Sequence, residues 1–130
     1  MAIARYVADI DTTITNAFEA DLTTRGTGSN MGYADSLEIF SIYGQVSGTT
    51  GQSQELSRTL IRFPITSITA DRTAGTIPAS GSVSFYLRMF NAAHPFTLPQ
   101  DFNLTVAPVS RSWAEGTGLD MDNYLDLGTS

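Results

Sequence analysis

Cysteine is missing from this 130-residue chain and lysine is missing with it, so all 7 positive charges are arginine. Without cysteine there is no disulfide, no thiolate nucleophile and no Cys-ligated zinc. Without lysine, the residue most used to keep exposed sheet edges apart is gone. Charged residues reach only 15%, against about a quarter in an ordinary globular protein. The surface must therefore be wetted by Thr, Ser, Asn and Gln. The arginines (Arg5, Arg25, Arg58, Arg62, Arg72, Arg88, Arg111) are scattered and the net charge is −6. No basic stripe exists to neutralise phosphates, so neither nucleic acid nor an anionic membrane surface is an expected partner.

No apolar run approaches the roughly 18 residues of a bilayer span, and the first residues lack the charged-then-apolar order of a secretion signal. One histidine is present, His94, set between alanine and two prolines in NAAHPFTLP. A lone loop histidine with no nucleophile beside it reads as an ordinary hydrogen-bonding residue rather than a general base. Patterns of the G-x-S-x-G, H-E-x-x-H and P-loop kinds do not occur. No catalytic residue is assigned, and the chain is expected not to be an enzyme.

What the chain does hold is strand signal. Hydrophobic residues make up 42%, enough for one core, and the length suits a single domain over 1–130. Residues 6–14 (YVADIDTTI) and 36–43 (SLEIFSIY) alternate roughly and favour strands. Residues 58–65 (RTLIRFPI) predict another strand, with Pro64 at its end because proline cannot donate to a ladder. The cleanest alternation lies in 82–90 (SVSFYLRMF), where Val83, Phe85, Leu87 and Met89 share one face. Residues 102–109 (FNLTVAPV) predict a last strand. Between these lie a glycine-rich loop at 23–32, a polar tip at 45–53, one helical turn within 68–75 and a proline-held loop at 92–99. Short strands separated by uneven loops predict an all-β fold, a jelly-roll-like antiparallel β-sandwich.

Several constellations have a chemical reading beside a plain one. Glycoside cleavage needs two opposed carboxylates, and Glu115 with Asp120, Asp122 or Asp126 are the candidates. No scaffold fixes their spacing, and a solvated acidic tail is the plainer account. Alternate acids in DMDNYLD could hold a structural Ca²⁺, with Asp9 and Asp11 as further donors. That stretch lacks the glycine and closing glutamate of an EF-hand, and no cofactor is assigned. Trp113, the only tryptophan, reads first as a plug over the end of a core and second as a sugar-stacking platform. Tyr33 and Tyr43 are the other candidate glycan or interface aromatics, with Phe40 beside them.

Three segments together resemble one family. DTTI (11–14) with NMGYADSLEI (30–39), then RTLIRFPI (58–65), then VAPVSRSWAEGTG (106–118) follow the order of the DNRLRE-type β-sandwich domain. The family's F-D-L is F-P-I here, with Pro64 in place of an acid, and residues 45–57 form a lengthened loop. The resemblance makes Gly32 a tight-turn residue, Arg58 and Arg62 the flanks of a buried pair, and Trp113 a cap on the core. The opening MAIARYVADIDTTITNAF, with RGTGSNMG and ADRTAGTIPASGSV, resembles structural proteins of tailed bacteriophages, marine ones especially.

This resemblance implies a virion structural protein: a capsid decoration, neck, tail or fibre component that docks on other virion proteins as a homo-oligomer. Such proteins assemble in the host cytoplasm and leave by lysis, which accords with the missing secretion signal. The alternative is a carbohydrate-binding module that attaches to a glycan. In the family the chain continues where this sequence stops, so the expectation is either the N-terminal part of a longer protein or a naturally short version.

Overall fold

A computed structural model of the chain describes residues 3–18, 24–45, 52–93 and 101–119. Its regular elements are mostly antiparallel strands, with one short helix: β1 (Ile10–Thr15), β2 (Ser41–Gln45), β3 (Gln52–Arg62) and α1 (Ile65–Thr73), followed by a single 3-10 turn at Ser80–Ser82. The chain divides into two compact units, 1–83 with 115–130, and 84–114.

In the first unit β3 is the central strand, in the order β1-β3-β2. Its two halves serve different partners. Residues from Ser57 to Arg62 pair antiparallel with β1, from Thr15↔Ser57 to Ile10↔Arg62. Residues from Gln52 to Leu56 pair antiparallel with β2, from Gln45↔Gln52 to Ser41↔Leu56. The change of partner falls between Leu56 and Ser57. The Leu56 carbonyl accepts from the Asn16 amide at 3.2 Å, while the Ser57 amide donates the other way, to the Phe40 carbonyl at 3.1 Å. Successive residues of a strand turn their polar groups to opposite sides, so one peptide step suffices for the exchange. The Asn16 side chain reinforces the joint by accepting from the Leu56 amide at 2.7 Å.

β1 is built from I-D-T-T-I-T, in which β-branched residues favour the pleated backbone. It begins at Ile10 rather than near Tyr6, and β2 begins at Ser41 rather than Ser36. β3 runs earlier than expected and stops at Arg62, short of Phe63 and Pro64. Proline ends it as the sequence suggests, since it offers no amide to the ladder. The same proline then stands at the start of α1, where its carbonyl accepts from Ser67 and Ile68 at 3.1 and 3.2 Å.

α1 spans more than the single turn expected. It closes with Gly75 at φ 75, while Gly75 and Thr76 donate back to Arg72 and Asp71 at 3.2 and 2.9 Å. That paired closure needs a left-handed residue, which glycine supplies without a Cβ penalty.

The interior of this unit is small and partly polar. Among the described residues the buried apolar ones are Met31 and Ile77, and the buried polar ones are Thr12, Thr13 and Glu55. Such groups must find partners. Thr13 Oγ1 accepts from the Glu38 amide at 3.0 Å, and Glu55 Oε1 accepts from the Phe18 amide at 2.9 Å. An ion pair joins the ends of β1 and β3: Arg62 Nε and Nη2 donate to the two oxygens of Asp9, each at 3.0 Å. Its arginine holds the Asp9 carboxyl below the usual carboxylate range.

The second unit, residues 84–114, carries most of the segment expected to be the clearest strand, 82–90, and the whole of the last expected strand, 102–109. Neither 84–93 nor 101–114 forms a ladder among the described residues. Apolar side chains along them stand in the open: Phe85 is 66%, Tyr86 89%, Phe90 79% and Val106 77% exposed. Period-2 alternation encodes which face of a strand is apolar, but a strand exists only where a second backbone takes its amides. The sequence supplies the first condition, and within the described chain the second is unmet.

Candidate functional site

The strongest long-range polar constellation lies where two of the sequence motifs meet, NMG (30–32) and EGTG (115–118). Asn30 Oδ1 accepts from the Thr117 amide at 3.0 Å and from the Gly118 amide at 2.8 Å. The Tyr33 amide donates to the Gly118 carbonyl at 2.9 Å. Gly118 and Met31 are buried here. One amide oxygen thus satisfies two successive backbone donors, and the neighbouring backbone returns a third bond.

Glycine is required on both sides of this clasp for want of room. A Cβ on Gly32 would lie 2.3 Å from the Gly116 carbonyl oxygen and 2.4 Å from that of Glu115. Gly32 was expected to serve a tight turn. It does lie in one, the turn closed by the Ala34 amide on the Met31 carbonyl at 3.2 Å, and it also permits close approach, since the backbones of 32 and 115–116 touch. Gly116 combines both demands, with φ 89 and a Cβ position 2.2 Å from Asn30 Oδ1. A Cβ on Gly118 would meet the Asn30 carbonyl at 2.6 Å.

Glu115 opens the second motif and reaches in another direction. Its Oε1 accepts from the Asp11 amide at 3.0 Å. The carboxylate therefore takes up a backbone donor of β1 that β3 does not use, which blunts one edge of the sheet where a lysine is not available. This places Glu115 in a fixed backbone contact. Its proposed companions Asp120, Asp122 and Asp126 lie outside the described residues, as does His94.

The other sequence candidates are dispersed. Tyr33 is 54% exposed at the clasp, and its backbone is held by the bond to Gly118. Tyr43 lies in β2, paired in register with Gln54. Trp113 is half-buried in the second unit, and Phe40 is half-buried beside β2. Arg58 and Arg62 flank Leu60 and Ile61, which are half-buried rather than buried and, as neighbours along β3, face opposite sides of the sheet. Arg62 is committed to Asp9. Among the described residues, no three His, Cys, Asp or Glu side chains converge as a metal site would need. Of Asp9 and Asp11, offered as Ca²⁺ donors, Asp9 is paired with Arg62 and Asp11 gives its backbone amide to Glu115.

What reasoning from residues missed is the bond between the two motifs. N-x-G and E-G-T-G were each visible, and each reads alone as a turn. Their glycine spacing was the available signal, because glycines at 32, 116 and 118 are what two touching backbones demand. The clasp holds chain segments together and presents Tyr33. It brings no nucleophile to a base. No protein-family model, no curated protein and no solved structure matches this chain.

Proposed function

We propose that this chain is a non-enzymatic virion structural protein of a tailed bacteriophage, a capsid decoration, neck, tail or fibre component, acting by docking on other virion proteins. The single observation that carries the docking is the open apolar surface of 84–114, where Phe85, Tyr86, Phe90, Phe102 and Val106 are each more than half exposed. Exposed apolar surface on this scale, arranged with strand periodicity, fits a protein partner that supplies both a backbone edge and an apolar face. The virion assignment itself rests on the motif order and on the phage-like opening of the sequence.

In this reading the mature fold is a jelly-roll-like antiparallel β-sandwich. β1, β2 and β3 form part of one sheet, and 84–93 and 101–114 contribute strands once assembled. Mass spectrometry of purified particles from the source phage tests the assignment. The protein is expected at a fixed copy ratio to the capsid or tail proteins, and its absence from intact particles overturns the reading.

A second reading, a carbohydrate-binding module, is favoured by one observation, the exposed ring of Tyr33 on a backbone held rigid by the clasp. Sugar C–H faces pack on such rings. A glycan array with the intact chain tests it: binding lost on Tyr33→Ala supports the module, and a blank array removes it.

A further inference from the structure

We propose that residues 84–114 form an exchange arm, whose two extended segments add as strands to a second copy of this chain while that copy's arm returns the same contact. The inference rests on the docking reading above and names its partner.

Both faces of the arm are open. Leu87 and Met89 follow Phe85 along one face at 45% and 44% exposure, and Tyr86 and Phe90 mark the other at 89% and 79%. Ser84 and Arg88 share that second face, so the segment has one apolar and one mixed face, which suits a neighbour in its own sheet and an apolar layer against Phe85, Leu87 and Met89. Neither segment takes a ladder partner from the described residues of its own chain. The amides and carbonyls of two strand-length segments therefore await a backbone edge.

Charge identifies the edge. Of the chain's 7 arginines, Arg88 and Arg111 lie in the arm, while of its 13 acids only Asp101 does. The arm is therefore slightly positive and the rest of the chain strongly negative. Two bodies repel and two arms repel, but an arm and a body attract. Reciprocal arm-to-body exchange about a twofold axis satisfies that pattern in both copies at once. The sheet of β1, β3 and β2, with Ile14 of β1 exposed at 42%, is the surface such an arm would cover. Arg88, already lying over the Phe90 ring at 4.7 Å, brings its charge within the apolar strip.

The test uses the intact chain. Sedimentation velocity over a wide concentration range is expected to show a dimer. Phe85→Asp combined with Val106→Asp is expected to weaken self-association at least tenfold while the far-ultraviolet circular dichroism is retained. Both positions are exposed in the single chain, so these changes leave the sheet of the first unit intact. A photo-crosslinking phenylalanine placed at Tyr86, in a mixture of ¹⁴N and ¹⁵N protein, is expected to give isotopically mixed crosslinks to residues of the first unit. A monomer at every concentration overturns the proposal, as do crosslinks confined to one isotope or an oligomer indifferent to the double variant. A monomer that is nevertheless found in purified particles would refute exchange between copies and leave the virion assignment standing.

Discussion

Replacing Asn30 by alanine removes one oxygen and leaves three backbone donors behind, those of Thr117 and Gly118 and, at a longer 3.4 Å, that of Gly32. The Gly118 amide is in a buried residue, where losing its acceptor costs about 1–3 kcal/mol. The Thr117 residue is exposed and its amide turns to water, so its loss is nearer about 0.5–1 kcal/mol. The expected destabilisation is about 1.5–4 kcal/mol, a large share of the stability of a domain this size. Asn30→Asp is the informative companion. A carboxylate keeps an acceptor at the position that receives the 3.0 and 2.8 Å bonds, and a charged acceptor strengthens them.

Urea unfolding followed by far-ultraviolet circular dichroism measures both variants. The expected order is wild type and Asn30→Asp close together, with Asn30→Ala well below. If Asn30→Ala lies within about 0.5 kcal/mol of wild type, a typical surface-substitution effect, the clasp is not a source of stability. If Asn30→Asp falls as far as Asn30→Ala, the oxygen is not what matters and the account is wrong.

Other consequences follow from neighbouring features. Gly32→Ala places a Cβ against two backbone carbonyls at 2.3 and 2.4 Å, so it should lower the urea midpoint at least as far as Asn30→Ala, and pairing the two changes should not rescue it. Glu55→Ala takes the acceptor from the Phe18 amide and should cost about 1–3 kcal/mol, whereas Glu55→Gln, which keeps an oxygen there, should cost less than about 1 kcal/mol. The Asp9 carboxyl is lowered chiefly by its hydrogen bonds from Arg62. Its contribution is present above the ordinary value of 3.8 and fades as pH falls through the lowered one, so Asp9→Asn should flatten the acid limb of the stability profile. Tyr6 donates to Asp71 at 2.7 Å, and that bond raises its hydroxyl above 10.0. Its contribution is complete below 10.0 and fades as pH rises through the raised value, so Tyr6→Phe should flatten the alkaline limb.

Local chemistry was readable in the sequence, and partnership was not. Pro64 announced the end of β3 because a missing amide is a property of one residue. The helix was visible in ADRTAG by its lack of alternation, though its start at Ile65 was hidden under an apolar run that also suits a strand. Residues 82–90 carry the best alternation in the chain and make no ladder, because alternation names a face and says nothing of which backbone comes alongside. The centrality of β3 was equally hidden, since QSQELS has little strand propensity and takes its ladder from β2 as far as Leu56. At the clasp the glycines were visible, but their meaning depends on a contact between residues 88 apart.

That separation has a consequence for tolerance to insertion. By holding Asn30 to Gly118, the clasp closes a ring of chain in which everything between its ends, the arm included, is an excursion that leaves and returns. The entropy of closing such a ring grows only with the logarithm of its length, about 0.6 kcal/mol for each doubling. A peptide or a whole module spliced between Val83 and Glu115 would therefore tax the clasp very little. The chain is built as a fixed seat with an extensible excursion, and cargo grafted there would be carried without rewriting the seat.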